Sequence, residues 1–218
     1  MTNFKAVLFD LDGTLLDTLA DLGNAANRVL EHNGFPTHEL EAYRYFVGYG
    51  MRNLMVRALP ETEQEDEVVV DRCFADMQED YGRNWKVDTD LYPGIADMLD
   101  GLQARQVRMA ILSNKPDDFT RLCVADYLSR WSFDQVAGER PPMPRKPDPA
   151  GALAVAGAMG LTPAEFCYLG DSAVDIQTAG AAGMYAAGAL WGFRTREEME
   201  NAGSRTCLEK PADLLSFF

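Results

Sequence analysis

The sequence is poor in the residues from which many sites are built. Its 218 residues include two histidines, His32 and His38. Both fall around an expected helix end and turn, which argues against a histidine metal site or a His-based triad. The four cysteines, Cys73, Cys123, Cys167 and Cys207, are scattered and show no CxxC spacing. They read as reduced structural thiols of a cytoplasmic protein rather than as disulfides or zinc ligands. No run approaches the roughly 20 apolar residues of a membrane helix. The first apolar run is very short and ends in Asp10, unlike a signal peptide. Positive charge is also scarce: 20 Lys and Arg stand against 34 Asp and Glu, a net charge of −14. Such a chain is a poor partner for nucleic acid or an anionic membrane. If it handles an anion, positive charge must be concentrated locally.

What is present is the composition of a globular protein, long enough for one large or two small domains. Ala6-Val7-Leu8-Phe9 reads as a buried strand. Thr18 is the expected N-cap of a helix, with Asp21 completing a capping box. Leu19, Leu22, Ala26, Val29 and Leu30 give that helix one apolar face. Segments near 38–47, 51–59 and 64–84 also read as helical, and no strand is expected between 18 and 87. From Tyr92 onward strands and helices alternate. Strands are expected at Val107–Leu112, Phe133–Ala137, Phe166–Leu169 and Met184–Leu190, and the chain is expected to finish in two short helices. This alternation predicts an α/β fold with a parallel sheet wound on both faces. Ligands of such sheets bind at the carboxyl ends of the strands.

Four polar pieces fall at those ends: Asp10-Leu11-Asp12-Gly13-Thr14, Ser113-Asn114, Lys146-Pro147, and Gly170-Asp171-Ser172 with Asp175. On extended backbone the carboxylates of Asp10 and Asp12 point to the same side. Two acids in one pocket are costly without positive charge nearby. A divalent cation, a lysine and a phosphate substrate are the expected balance. Any one piece alone is ordinary; their order and their placement after strands are not.

With these residues in view, the sequence resembles the haloacid dehalogenase superfamily of aspartate-nucleophile phosphohydrolases. Asp10–Thr18, Leu112–Pro116, Val47–Gly50, Arg57-Ala58-Leu59 and Trp191–Arg194 are similar to its phosphoglycolate-phosphatase-like branch. The resemblance implies a Rossmann-like core, residues 1–17 and 88–218, with an all-helical cap inserted at 18–87. It implies that Asp10 is the nucleophile and Asp12 the general acid and base. Ser113, Asn114 and Lys146 would bind the phosphoryl group. Mg²⁺ would be held by Asp10, the Asp12 carbonyl and Asp171, with Asp175 holding a metal water or orienting Lys146. Arg44, Tyr49 and Arg52, around the Gly48–Gly50 turn, are the candidates for substrate choice.

The expected activity is a Mg²⁺-dependent phosphatase acting on a small phosphorylated metabolite, with 2-phosphoglycolate one option, in a monomer or homodimer. A phosphosugar mutase shares the same intermediate and is the alternative, although its cap pattern is missing. A haloacid dehalogenase fits less well, because Asp12 and Asp171 are both present. A phosphonatase needs a cap lysine, and Lys86 alone falls in 18–87, at the expected hinge. A catalytically silent binding protein on this fold is the non-enzymatic reading.

Overall fold

The computed structural model describes residues 4–218. It forms two compact units, residues 4–16 with 91–218, and Asp17–Asp90.

The first unit is built on a six-stranded sheet. Its strands are β1 (Ala6–Phe9), β4 (Arg108–Pro116), β5 (Gln135–Glu139), β6 (Phe166–Gly170), β7 (Tyr185–Ala189) and β8 (Thr206–Leu208). Their order is β5-β4-β1-β6-β7-β8, and every pairing is parallel. β1 and β6 are wholly buried, as their unbroken apolar runs require of strands covered on both faces. The connecting helices are α5 (Ile95–Ala104), α6 (Asp117–Tyr127), α7 (Ala150–Ala158), α8 (Ala173–Ala182) and α9 (Arg196–Asn201). Leu8, Leu112, Val155, Phe166, Tyr168, Ile176 and Met199 belong to one continuous core. α8 stops at Gly183, which takes a left-handed conformation (φ 76°) that costs glycine little.

Two expectations for this unit change. β4 does not end at Leu112. It continues through Ser113, Asn114 and Lys115 to Pro116, with its register to β5 shifting after Leu112. Polar side chains do not by themselves end an extended segment, and all three are buried; the pairing resumes at Pro116 with Glu139. The sixth strand, β8, was not expected. It is three residues long, too short for alternation to show, and lies between α9 and a 3₁₀ helix at Pro211–Phe217.

The second unit is a helical insertion. Its helices are α1 (Leu19–His32), α2 (Leu40–Phe46), α3 (Met51–Ala58) and α4 (Glu67–Asn84). The stripe Leu22, Ala26, Val29 and Leu30 of α1 is buried, as its spacing predicts. Asp66 caps α4 by accepting from Val68 N and Val69 N at 2.9 and 3.2 Å. The chain passes between the units in β2 (Leu16–Asp17) and β3 (Asp90–Leu91), which pair with each other.

The expected capping box at Thr18 is not formed. Thr18 makes no side-chain cap bond, and its buried hydroxyl has no hydrogen-bond partner among the described residues. Asp21, buried, turns instead to the far end of the insertion. Its carboxylate accepts from Val87 N (3.0 Å), Asp88 N (2.9 Å), Thr89 N (3.0 Å) and Thr89 Oγ1 (2.7 Å). Four donors on one carboxylate outweigh the single helix-end N–H that a capping box would have offered it.

Candidate active site

Phe9 pairs with Ile111 on one side and Leu169 on the other, so β1, β4 and β6 run level. Because the strands are parallel, Asp10, Ser113 and Asp171 emerge at one edge of the sheet. Lys146 comes to the same edge from the loop before α7. Its Nζ lies 2.7 Å from Asp10 Oδ1, 2.7 Å from Asp175 Oδ1 and 3.1 Å from Leu112 O. An ammonium has three donors, and here each has an acceptor. That satisfaction is what lets a side chain only 3% exposed keep its charge.

Lys146 is held by its backbone as well. The Asn114 amide donates to Lys146 O (2.9 Å) and accepts from Lys146 N (2.8 Å). Asp175 Oδ2 accepts from Ser172 N (3.1 Å) and Ser172 Oγ (2.7 Å), which leaves Oδ1 turned to Lys146. Asp171 Oδ2 accepts from Phe193 N at 2.7 Å, and Thr14 Oγ1 lies 3.4 Å from Oδ1. Two glycines permit this packing. A Cβ on Gly13 would stand 2.3 Å from Asp171 Oδ2, and one on Gly192 2.3 Å from Asp171 Cβ. Gly13 also has φ +85°, a region most side chains avoid. Trp191 Nε1 donates to Thr14 O at 2.9 Å and ties the same loop down.

The electrostatics follow from crowding acids in a buried place. Burial, then repulsion from Asp175, pushes the Asp10 carboxyl well above its ordinary range, against the pull of Lys146. Burial and Asp175 likewise raise Asp171 to about 7, opposed by the Phe193 N–H. Burial works against the Lys146 charge, but Asp10 and Asp175 override it and hold the ammonium well above its usual value.

Asp12 has its own partner. Lys115 Nζ lies 2.9 Å from Asp12 Oδ1, and these side chains are 2% and 11% exposed. With all four acids ionised, Asp10, Asp12, Asp171 and Asp175 face two ammoniums, Lys115 and Lys146, and two negative charges remain. Asp10, Asp171 and Asp175 each offer an oxygen, all within 4.8 Å of one another. A compact, all-oxygen, doubly negative donor set fits a hard divalent cation. Asp175 stands in this group while its two oxygens also meet Lys146 and Ser172, the contact with Lys146 being the one expected of it.

Ser113 and Asn114 are buried at the end of β4, and Ser113 Oγ accepts from Lys115 N at 3.1 Å. In the insertion, Arg44 Nε pairs with Glu41 at 2.9 Å. Arg52 pairs with Glu67 and with Asp71, the latter at 2.9 Å. Tyr49 lies under the Arg57 guanidinium, 4.6 Å from ring centre to Cζ. Sequence reasoning missed Lys115 as the partner of Asp12 and the Asn114 side chain as a clasp. The available signal was polar residues continuing directly from a buried strand.

The fold and site define a class. The chain belongs to the haloacid dehalogenase-like hydrolases, whose family model matches residues 7–189. Within that class it is similar to proteins named phosphoglycolate phosphatase. One from Pseudomonas putida is 35% identical over 87% of this chain and 70% of its own length. Phosphoglycolate phosphatase 1 of Pseudomonas aeruginosa is 32% identical over 97% of this chain and 78% of its own. The crystal structure of a predicted phosphoglycolate phosphatase from Haemophilus somnus superposes with a TM-score of 0.91 at 27% identity, covering 99% of this chain and 98% of that one.

Proposed function

We propose that the protein is a Mg²⁺-dependent phosphatase that hydrolyses a small phosphorylated metabolite through an aspartyl-phosphate, with 2-phosphoglycolate as its substrate. The observation that carries the reading is Lys146 bridging Asp10 and Asp175 beside Asp171, at the carboxyl ends of β1 and β6. The names of the relatives support the choice of ester.

In the first half, an Asp10 oxygen bonds to phosphorus as the bond to the leaving oxygen breaks, and that oxygen takes a proton from Asp12. In the second half, Asp12 takes a proton from water, the water oxygen bonds to phosphorus, and the bond to Asp10 breaks. Inorganic phosphate leaves and both acids return to their starting state. Ser113 Oγ and the Asn114 N–H donate to phosphoryl oxygens, and Lys146 neutralises both the nucleophile and the phosphoryl group. Mg²⁺ would be held by Asp10, Asp171 and the Asp12 carbonyl, with Asp175 alongside, and supplies charge compensation for an anionic nucleophile meeting an anionic ester. Substrate choice falls to the insertion, where Arg44, Tyr49 and Arg52 are the residues to vary. The enzyme is read as cytoplasmic, a monomer or homodimer; none of its described helices is long and apolar enough to cross a membrane.

The test is phosphate release by purified protein from 2-phosphoglycolate and a panel of small phosphate esters, with Mg²⁺ and with chelator. Release that requires Mg²⁺ and is lost in Asp10→Asn is expected. Full activity in Asp10→Asn overturns the mechanism. Isomer formation without phosphate release points to a mutase, and no turnover of any ester to a silent binding protein.

A further inference from the structure

We propose that Lys115 is a positioning residue for Asp12: it holds the acid–base carboxylate in place for hydrolysis of the aspartyl-phosphate. This rests on the phosphatase reading above and adds a residue to it. Three observations carry it. First, a lysine side chain 2% exposed is expensive to bury, and its ammonium meets Asp12 Oδ1 at 2.9 Å. Second, Lys146 cannot serve Asp12, because its three donors go to Asp10, Asp175 and Leu112 O. The two acids of Asp10-Leu11-Asp12 therefore have separate ammoniums, one for the nucleophile and one for the proton carrier. Third, the Lys115 N–H donates to Ser113 Oγ at 3.1 Å. One residue thus ties the Asp12 carboxylate to the hydroxyl read as a phosphoryl-oxygen donor. Proton transfer is sensitive to such placement, because donor and acceptor must lie within hydrogen-bond reach at the moment of reaction.

The two half-reactions can be separated experimentally. p-Nitrophenolate leaves without needing a proton, so transfer of phosphate from p-nitrophenyl phosphate to Asp10 makes little demand on Asp12. Hydrolysis of the aspartyl-phosphate needs Asp12 whatever ester formed it. Lys115→Met keeps the backbone N–H and much of the side-chain volume while removing the ammonium. With Mg²⁺ and p-nitrophenyl phosphate, its kcat should fall about 10- to 100-fold, a share of the usual worth of acid–base catalysis. KM should fall in parallel, leaving kcat/KM within about twofold of wild type, as expected when only the second step slows. A burst of p-nitrophenol matching the active-site concentration should appear, and phosphoenzyme should accumulate in acid-quenched samples. Lys115→Arg should recover part of kcat. Asp12→Asn should show the same burst, and adding Lys115→Met to it should cost little more.

Parallel losses of kcat and kcat/KM without a burst would reduce Lys115 to a structural counter-charge and overturn the proposal. So would unchanged kinetics, or additive losses in the double variant. Should Lys115→Met fail to fold, Lys115→Arg decides: a burst with lowered kcat supports the role, and its absence overturns it. A wild-type protein that turns over no ester strikes the phosphatase reading itself, whereas a working wild type with proportionate losses strikes Lys115 alone.

Discussion

The amide of Asn114 grips the backbone of Lys146 by both its N–H and its C=O, at 2.8 and 2.9 Å, across 32 residues of chain. A strand end and a distant loop that look independent in sequence are thereby one unit. The clasp sets where the Lys146 backbone sits, and the ammonium then meets Asp10 and Asp175.

Asn114→Ala should therefore weaken two functions at once. Both Lys146 backbone groups lose a buried partner, which costs about 1–3 kcal/mol. Denaturant titration should show that loss. kcat should fall as well, because Lys146 is less well aimed, even though the variant keeps the Asn114 N–H proposed to meet the phosphoryl group.

Asp21→Asn should destabilise the insertion. Its carboxylate accepts four hydrogen bonds from Val87, Asp88 and Thr89, and an amide nitrogen in place of one oxygen would face donors. Hydrogen bonds to charged groups contribute about 1.5–3 kcal/mol, so a loss of about that size is expected. Proteolysis near residues 85–90, followed by mass spectrometry, would register the loosening. A stability equal to wild type would show that these bonds contribute nothing net.

The pH dependence of the metal-free protein follows from Asp171. Its pKa rises from 3.8 to about 7 on folding, first through burial and then through Asp175. The folded state then binds more protons than the unfolded one between those values. Stability contributed by this group is full below pH 3.8 and is lost as pH rises towards and through about 7. Asp10 shifts in the same direction and adds to the trend. In chelator, wild type should melt lower at pH 7.5 than at pH 5, and Asp171→Asn should flatten that slope. Mg²⁺ should restore stability at the higher pH. A wild-type slope of opposite sign in this window would contradict the assignment.

Gly13→Ala should damage both fold and site. The new methyl would meet Asp171 Oδ2 at 2.3 Å, on backbone with φ +85°. Strain at such a position costs about 1–3 kcal/mol before any clash is counted. Thermal denaturation should show a lower midpoint, and Mg²⁺ titration of the melting temperature should show weakened binding. Gly34→Ala is the control: it also has positive φ (76°), but its Cβ would meet nothing within 4 Å. It should lower stability while leaving the Mg²⁺ response intact.

Much of the protein could be read from local pattern. The alternation of strands and helices, the apolar stripe of α1, and acids standing directly after strands are relationships among neighbours, and a parallel sheet sends strand ends to one edge. Hence Asp10, Ser113 and Asp171 are expected at one edge from the pattern alone, whereas Lys146 follows no strand directly and reaches that edge from a loop. β8 escaped because three residues cannot display a period. The end of β4 is hidden because its last side chains are polar and its pairing with β5 breaks register after Leu112 before resuming at Pro116.

The sequence by itself determined the class of fold, the helical insertion and the identity of the acids, because each rests on contacts a few residues long. Only tertiary structure decided which partner each polar group takes. Lys115 reaches Asp12 across 103 residues, Asp21 turns from its helix end to a loop 66 to 68 residues away, and Asn114 holds Lys146. Buried polar groups must find partners, and several were available in principle. The choice belongs to whichever donors and acceptors the packed backbone brings within about 3 Å, and no spacing in the sequence encodes that.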